Sequence, residues 1–343
     1  MNINDLFKLA TENKASDLHI IVGKPPILRI DGELKVMDKL EIINRDIAEK
    51  LVFNILTERQ KNKFIEGREL DISYEIPNYS RYRVNLHWEK DNVGLVARVI
   101  SNEVPSIEEL GLPEVAHQMI ARTAGLVLVT GPTGCGKSTT LAAMVEKINT
   151  MRFANIITLE DPIEFIHQPK KSIIKQRQLG TDMLTFQDSL RHILRQDPNV
   201  IMVGEVRDLE TMAATITLAE TGHLVLATLH THNAAQTVDR IIDVFPPHQQ
   251  AQVRLQLSIS LSGIISQQLL PQVGGGRVAA REILINTPAV ANIIRENKVP
   301  QIKSVIQTSA DVGMFTMEQN VKELLESNKI EEATAMAYLA NTR

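Results

Sequence analysis

The sequence has little of what stabilises secreted or membrane-spanning proteins. Among its 343 residues there is one cysteine, Cys135, so the chain cannot form an internal disulfide or a cysteine-based zinc cluster. No run reaches the roughly 20 apolar residues of a membrane-spanning helix. The first residues also lack the basic segment followed by an apolar one that marks a secretory signal. We therefore expect a cytoplasmic protein without direct membrane insertion.

The chain also lacks an excess of positive charge, because its formal net charge is −4. A protein whose main task is to hold nucleic acid needs concentrated Lys and Arg. We therefore expect no nucleic-acid partner. Apolar residues make up 43% of the sequence and charged residues 23%, which is ordinary for a soluble globular protein, and the length suffices for two domains.

Two patterns of secondary structure divide the chain. Residues 1–100 predict a strand-rich α+β module, with strands at 16–22, 26–30, 33–36, 71–76, 81–88 and 94–100, two helices between 45 and 66, and a hairpin turn at Asp31-Gly32. Residues 101–113 contain two prolines and little periodicity, and are the predicted linker. The second domain is predicted over 114–343.

From residue 125 the pattern changes to apolar strands that alternate with helices. The strands are predicted at 125–130, 155–159, 200–204 and 224–229. Near-continuous apolar strands separated by helices indicate an α/β fold with a parallel-rich sheet covered on both faces. Such sheets bind ligands at the carboxyl ends of their strands. After about residue 272 we expect short helices, with a flexible turn at 274–276.

A glycine-rich motif, G-P-T-G-C-G-K-S, follows the first of these strands and precedes a helix. Its glycines let the backbone wrap a phosphate closely, because they have no Cβ. The positive end of the helix and Lys137 add charge, and Ser138 is placed to ligate Mg²⁺. An ordinary glycine turn is the alternative. The predicted nucleotide-binding residues are Gly131, Pro132, Thr133, Gly134, Cys135, Gly136, Lys137, Ser138 and Thr139.

Two glutamates end apolar runs of the predicted sheet. Glu205 closes V-I-M-V-G-E, a Walker B pattern in which a carboxylate holds Mg²⁺ directly or through its waters. Glu160 has the same position after I-I-T-L and is the candidate general base that polarises the attacking water. The alternatives are a solvated loop glutamate at 205 and a simple turn at Asp161-Pro162.

Histidines and arginines complete the candidate site. His223 and His230 flank one apolar strand, and a histidine there can sense the γ-phosphate, although a structural role is an equal alternative for His223. Residues 81–88 alternate, so that basic side chains such as Arg83 line one face of a strand. That face is either solvated or supplies positive charge to a nucleotide held by another domain or subunit.

Four segments resemble, in order and spacing, the motifs of the secretion and type IV pilus ATPases, most closely those of the PilT-type retraction ATPases. They are the Walker A segment 131–139, the aspartate-box segment 155–165, the Walker B segment 194–208 and the histidine-box segment 221–232. The start of the chain, with A-S-D-L-H-I and P-P-I-L-R-I-D-G, is similar to the family's PAS-like N-terminal domain. The resemblance covers essentially the whole chain.

The resemblance implies a RecA-like P-loop domain preceded by a smaller PAS-like α+β domain. It also implies a homohexamer that binds ATP and Mg²⁺ between subunits and lies at the inner face of the cytoplasmic membrane through its partners. The implied catalytic residues are Glu160 as base, Glu205 as Walker B carboxylate, His230 and His223 as sensors, and Arg83 and Arg98 as arginines that reach the nucleotide.

Two features that are missing from this sequence favour the retraction type. Pilus assembly and type II secretion ATPases generally carry an extra N-terminal domain and a tetracysteine zinc motif, which this chain lacks. Residues 289–298 resemble a retraction-specific box, with departures at Ala291 and Asn297. The implied function is an ATP-driven rotation, passed to an inner-membrane platform protein, that removes pilin subunits. The alternatives are a PilU-type accessory pilus ATPase, which is also a candidate partner, and a nucleotide-sensing scaffold without appreciable turnover.

Overall fold

The computed structural model describes residues 1–30, 32–77, 79–100 and 103–341. The chain divides into two compact units. The first unit comprises Met1–Glu103 and Glu164–Ile166, and the second comprises Val104–Ile163 and His167–Arg343. Asp31 of the predicted hairpin, residues 101–102 of the predicted linker and the last two residues of the chain lie outside the described residues.

The first unit is built on an antiparallel sheet with helices packed against it. Its elements are α1 (Ile3–Glu12), β1 (Asp17–Ile20), β2 (Ile27–Ile30), β3 (Glu33–Val36), α2 (Arg45–Phe53), α3 (Glu58–Gly67), β4 (Glu69–Ile76), β5 (Ser80–Glu89) and β6 (Asn92–Ile100). The strand order is β3-β2-β1-β6-β5-β4. Tyr82, Val84 and Leu86 of β5 are fully buried, whereas Arg83 between them is half-buried, because alternate side chains of a strand point to opposite faces. The predicted α+β character of this region is confirmed.

Helix α1 was not predicted from the sequence, although its signals are present. Asn2 caps its start, because the side-chain oxygen accepts a hydrogen bond from the N–H of Asn4 at 3.1 Å. Apolar residues recur at helical spacing on one face and are buried in the core of the first unit. They are Ile3, Leu6, Phe7 and Ala10.

The second unit is a parallel-rich sheet between helices. Its elements are α4 (Glu114–Ala121), β7 (Gly125–Thr130), α5 (Lys137–Met151), β8 (Asn155–Glu160), β9 (Ile173–Gln178), α6 (Phe186–Ile193), β10 (Val200–Val203), α7 (Leu209–Glu220), β11 (Leu224–Leu229), α8 (Ala234–Asp243), α9 (Pro247–Ser260), β12 (Leu261–Pro271), β13 (Arg277–Ile285), α10 (Pro288–Arg295), α11 (Ile302–Thr308), α12 (Met317–Glu326) and α13 (Glu332–Asn341). The strand order is β13-β12-β7-β11-β10-β8-β9. Neighbouring strands are parallel except at β13, which is antiparallel to β12. This confirms the predicted α/β fold.

Both faces of this sheet are covered, as β7 shows. Leu126 and Leu128 pack into the core on one face, and Val127 and Val129 pack into the core on the other. A strand buried on both faces needs apolar residues at consecutive positions, which explains the near-continuous apolar runs of the sequence. Among the helices that the structure describes, none is both long enough and apolar enough to cross a bilayer.

The prediction of a helical segment from about residue 272 is wrong for β13. This strand pairs with β12 over nine residues, after a turn at 274–276 in which each glycine has a positive φ. The strand contains a charged pair, Arg281 and Glu282. Both side chains are buried because they find partners: Arg281 donates to the carbonyl oxygens of Leu110 and Gly111, and Glu282 accepts from a backbone N–H.

The predicted linker also needs correction. Its described residues from Val104 onward belong to the second unit. Ile107 and Leu112 are buried in the core on the face of the sheet that carries α5. Arg281 holds the backbone between them with two hydrogen bonds of 2.7 and 2.9 Å. This segment is therefore part of the second unit, because Ile107 and Leu112 pack into its core and Arg281 bonds the backbone between them.

Candidate active site

Four polar strand ends lie side by side in the second unit. The strands β7, β11, β10 and β8 are consecutive neighbours and run parallel, so their carboxyl ends lie at the same edge of the sheet. The glycine-rich loop follows β7, His230 follows β11, Glu205 follows β10 after one glycine, and Glu160 ends β8. The structure therefore brings together the loop, the two glutamates and one of the two histidines that the sequence singled out.

The loop between β7 and α5 depends on glycine. Gly131, Gly134 and Gly136 have φ values of +145°, +78° and +87°, which side-chain-bearing residues rarely adopt. At Gly131 space is also lacking, because a Cβ would lie 2.2 Å from the carbonyl oxygen of Gln267. Gly136 is the N-cap of α5 and has no side chain to bond the first-turn amides. Burial raises the pKa of the Cys135 thiol above its ordinary value, against the opposing charge of Lys137.

Lys137 is the first residue of α5, and its ammonium group is turned back into the loop. Its Nζ donates to the carbonyl oxygens of Gly131 at 2.8 Å and Pro132 at 3.0 Å, and lies 3.4 Å from Nδ1 of His230. The residue is 8% exposed. The lysine therefore connects the loop to the end of the neighbouring strand β11.

Glu205 lies between Arg207 and His230. Its carboxylate accepts from Nη2 of Arg207 at 2.7 Å and lies 3.0 Å from Nε2 of His230. The hydrogen bond from Arg207 lowers the pKa of Glu205 below its ordinary 4.5, against the opposing effect of burial, and the charges of Arg207 and Lys137 lower it further. The carboxylate is therefore held by a charged donor on one side and by the imidazole of His230 on the other.

Glu160 has a different environment, formed in part by the neutral side chains of Thr158 and Gln176. It is 7% exposed. Its Oε1 accepts from the hydroxyl of Thr158 at 2.7 Å and from Nε2 of Gln176 on β9 at 3.1 Å. Gln176 is itself oriented, because its oxygen accepts from the backbone N–H of His167 at 2.9 Å. The carboxylate is thus held in place by two neutral donors.

Gly204 lets the ends of β8 and β10 approach each other closely. A Cβ at this position would lie 3.2 Å from the carbonyl oxygen of Leu159 and 3.4 Å from Cα of Glu160. The N–H of Gly204 donates to the same carbonyl at 2.8 Å. A cavity of about 300 Å³ lies beside Glu205 and is lined by Arg207, His230 and Arg240 among others.

His223 lies apart from His230 within one chain, and its role as a sensor stays a prediction. It precedes β11, whereas His230 follows it. A strand of six residues spans about 20 Å, so the two histidines lie at opposite edges of the sheet. The ring of His223 instead lies 3.1 Å from the carbonyl oxygen of Leu218, at the end of α7. The alternative of a structural role fits this contact.

Arg83 and Arg98 lie in the first unit, on the sheet face opposite its buried core. They are directly opposed across β5 and β6. Nε of Arg98 donates to the buried Asp17 at 3.0 Å, and Arg29 approaches the same carboxylate at 4.0 Å. Asp17 therefore orients Arg98, and the side chain of Arg98 is still 66% exposed.

Two glutamines of the site were missed by the sequence reasoning. Gln176 contacts Glu160, as described above, and Gln267 on β12 donates to the carbonyl oxygen of Cys135 at 2.8 Å. The signal for Gln267 is a polar residue inside the apolar run G-I-I-S-Q-Q-L-L. Gln176 gave no such signal, because the run I-I-K-Q-R-Q is mostly polar.

A glycine-rich loop on a parallel sheet, followed by carboxylates and a histidine on neighbouring strand ends, defines a P-loop ATPase. The sequence profile of the Type II/IV secretion system protein family matches residues 1–337. The type IV pilus retraction ATPase PilT of Pseudomonas aeruginosa is 46% identical over 335 residues, which cover 98% of this chain and 97% of that protein.

Two further comparisons agree. The type IV pilus ATPase PilU of Pseudomonas aeruginosa is 40% identical over 344 aligned residues, covering 99% of this chain and 90% of that protein. The crystal structure of the pilus retraction motor PilT with bound ADP matches with a TM-score of 0.93 at 44% identity, covering 98% of this chain and 96% of that one. The chain therefore belongs to the Type II/IV secretion system protein family, as an ATPase of the PilT type.

Proposed function

We propose that this chain is the ATP-hydrolysing motor of type IV pilus retraction and that it works as a homohexamer. The observation that carries the proposal is the contact chain from Lys137 in the phosphate loop through His230 to Glu205. The retraction motor PilT, which is similar over nearly the whole length, supports the assignment to retraction. Hydrolysis turns the N-terminal unit of one subunit against the second unit of its neighbour, and an inner-membrane platform protein receives this motion.

Residues 131–139 bind the ATP phosphates in this proposal. Lys137 leaves the two loop carbonyls and turns to the β- and γ-phosphates, which carry the charge that an ammonium group seeks. The helix dipole of α5 adds to the attraction, because its first-turn amides point to the loop.

The donor set fits Mg²⁺, which prefers oxygen ligands and keeps several waters. Ser138 supplies a hydroxyl and Glu205 a carboxylate with a lowered pKa, directly or through water. Within the described residues, no three His, Cys, Asp or Glu side chains converge as a metal site, so phosphate oxygens would complete the ligand set. Bound there, the ion would neutralise charge on the phosphate oxygens.

Glu160 is the general base of the proposal. A carboxylate held by Thr158 and Gln176 can orient a water for attack on the γ-phosphate and accept its proton. His230 contacts Lys137 and Glu205 together, so a change at the phosphate can pass through it to β11 and the loop that follows.

Arg83 and Arg98 act on the nucleotide of a neighbouring subunit in this proposal. A mixing experiment tests it: Arg83→Ala and Lys137→Ala subunits, each inactive alone, are combined. At equal amounts about one quarter of the sites would pair an intact loop with an intact arginine and regain activity. A mixture whose subunits exchange, as native mass spectrometry reports, but which stays inactive would contradict action between subunits.

An accessory role beside another motor is the second candidate, favoured by the 40% identity to PilU. Deletion of the gene decides between them: pili that still retract indicate the accessory role, and loss of retraction indicates the primary motor. A scaffold without turnover is tested by steady-state phosphate release from the purified protein. We expect release that Lys137→Ala abolishes while folding is retained.

A further inference from the structure

Gln267 on β12 is a buried polar side chain that the mechanism above does not use. It is 2% exposed. Its Nε2 donates to the carbonyl oxygen of Cys135 in the phosphate loop at 2.8 Å, and its Oε1 accepts from the hydroxyl of Thr140 on α5 at 3.0 Å. One amide thus ties the loop and the following helix to the neighbouring strand.

The orientation of this amide is determined by its partners. The carbonyl oxygen of Cys135 can only accept, so the amide nitrogen must face the loop and the amide oxygen must face Thr140. Both bonds lie away from water, and a buried group that loses its partner costs more than the bond itself contributes. The contact is therefore specific for an amide.

Gln267 lies beside the same loop at its start through its backbone and near its end through its side chain. A Cβ at Gly131 would lie 2.2 Å from the carbonyl oxygen of Gln267, and a Cβ at Gly136 would lie 3.4 Å from its Nε2. One residue earlier, the hydroxyls of Ser266 and Thr130 are 2.8 Å apart. Gln267 therefore lies close to the loop at more than one point.

The hydrogen bond from Gln267 to Cys135 does not depend on Lys137, unlike the other two bonds to the loop carbonyls. Lys137 holds the carbonyls of Gly131 and Pro132, but it must release them to reach nucleotide phosphates. The bond from Gln267 to Cys135 does not involve Lys137, so it persists when the lysine turns away. At that moment the loop amides must still point at the phosphates.

We propose that Gln267 is a positioning residue that keeps the phosphate loop in its binding shape when Lys137 turns to the nucleotide. It acts through Cys135 and Thr140 and makes no contact with the substrate itself. The inference rests on the proposed function in one respect, namely that residues 131–139 bind the phosphates.

The test compares Gln267→Met with Gln268→Met. Methionine keeps the length and shape of the side chain without its hydrogen bonds, and Gln268 is the next residue of β12, whose side chain points to the other face of the sheet. The Kd of ADP is measured by calorimetry at 25 °C. We expect Gln267→Met to raise this Kd about tenfold and to raise the KM for ATP, and Gln268→Met to leave both within about twofold of the unchanged chain.

A purely structural role gives a different result. It would lower the melting temperature of the nucleotide-free protein and leave the Kd of ADP unchanged, and that outcome overturns the inference. If Gln267→Met does not fold, Thr140→Val and Thr140→Ser take its place, because the first removes one of the two bonds and the second keeps it. Weaker ADP binding in Thr140→Val that Thr140→Ser restores supports the inference, and equal binding in both overturns it.

The same measurements separate this inference from the proposed function. If the unchanged chain does not bind ADP, the proposed function fails and the inference fails with it. If the unchanged chain binds ADP and Gln267→Met binds it equally well, only the inference fails.

Discussion

Glu160 and Glu205 end neighbouring strands of one sheet, yet their surroundings differ. The partners of Glu160 include the neutral donors Thr158 and Gln176, and the residue is 7% exposed. The side chain of Glu205 is 24% exposed and is bonded by the charged Arg207 and by His230. In the sequence both are a glutamate after an apolar run, so the difference arises from what packs beside each strand end.

Strand order explains this difference. Beyond β8 lies β9, whose Gln176 reaches Glu160 from the edge of the sheet. Beside β10 lies β11, which brings His230 to Glu205. Neutral donors can orient a base without supplying a charge of their own, whereas a carboxylate that holds a metal works best when ionised. The two environments therefore suit the two proposed roles, and substitutions can test them separately.

The largest effect is expected for Glu160→Gln. An amide cannot accept the proton of the attacking water, so kcat should fall by about 10²- to 10⁴-fold, the usual contribution of a general base. The Kd of ADP and the Mg²⁺ concentration at half-maximal activity should not change. Steady-state phosphate release at several Mg²⁺ concentrations measures kcat and the Mg²⁺ requirement, and calorimetry measures the Kd of ADP. Near-normal turnover would show that another group is the base.

Glu205→Gln should have a smaller effect of a different kind. Loss of the carboxylate weakens the hold on Mg²⁺ or on its waters, so we expect activity to fall about 10- to 100-fold and the Mg²⁺ requirement to rise. Glu210→Gln is the matched control, because Glu210 is an exposed glutamate in the first turn of α7. If Glu205→Gln and Glu160→Gln showed the same Mg²⁺ dependence, the proposed division of roles would be wrong.

Glu160 and Glu205 could both be found from the sequence, whereas their partners could not. Apolar runs and glycine motifs are local signals, and parallel strands bring their ends together, so the loop, both glutamates and His230 were predicted correctly as neighbours. Gln176 belongs to an edge strand with a polar sequence, whose existence depends on pairing with β8. No local pattern predicts such a strand.

The error at β13 and the separation of His223 from His230 have the same non-local cause. Arg281 and Glu282 are charged, and their burial is made tolerable by partners distant in sequence, among them the carbonyl oxygens of 110–111 and an N–H of α8. His223 was grouped with His230 because both flank one strand, although the two ends of a strand face opposite edges of the sheet. The end of the strand at which a residue lies, and not its distance along the chain, decides whether it reaches the loop.

Gln176→Leu tests whether the hydrogen bond from Gln176 positions Glu160. The substitution removes a donor from the carboxylate of Glu160 and an acceptor from the N–H of His167. We expect kcat to fall about tenfold with the Kd of ADP unchanged, because a misplaced base affects the chemical step. Lys175→Leu, at the exposed neighbouring position of β9, is the control. Equal activity of the two variants would mean that the hydrogen bond from Gln176 is not needed to position Glu160.

The smallest effect concerns His167, which lies behind Gln176. Burial lowers the pKa of His167 below its ordinary 6.5, against the opposing hydrogen bond and charge of Glu146, whose carboxylate is 3.0 Å away. The unfolded chain therefore binds a proton as the pH falls through 6.5 while the folded chain does not, so stability is complete above that pH and decreases below it.

This pH dependence can be isolated by His167→Asn. From pH 7.5 to 5.5 the unchanged chain should lose at most about 1.4 kcal/mol of unfolding free energy per pH unit through this residue, and the variant should have a flatter profile. Urea unfolding at several pH values measures it, with His192→Asn as the exposed control. A flatter profile in the His167 variant, with an unchanged profile in His192→Asn, would assign this loss of stability to the buried imidazole of His167.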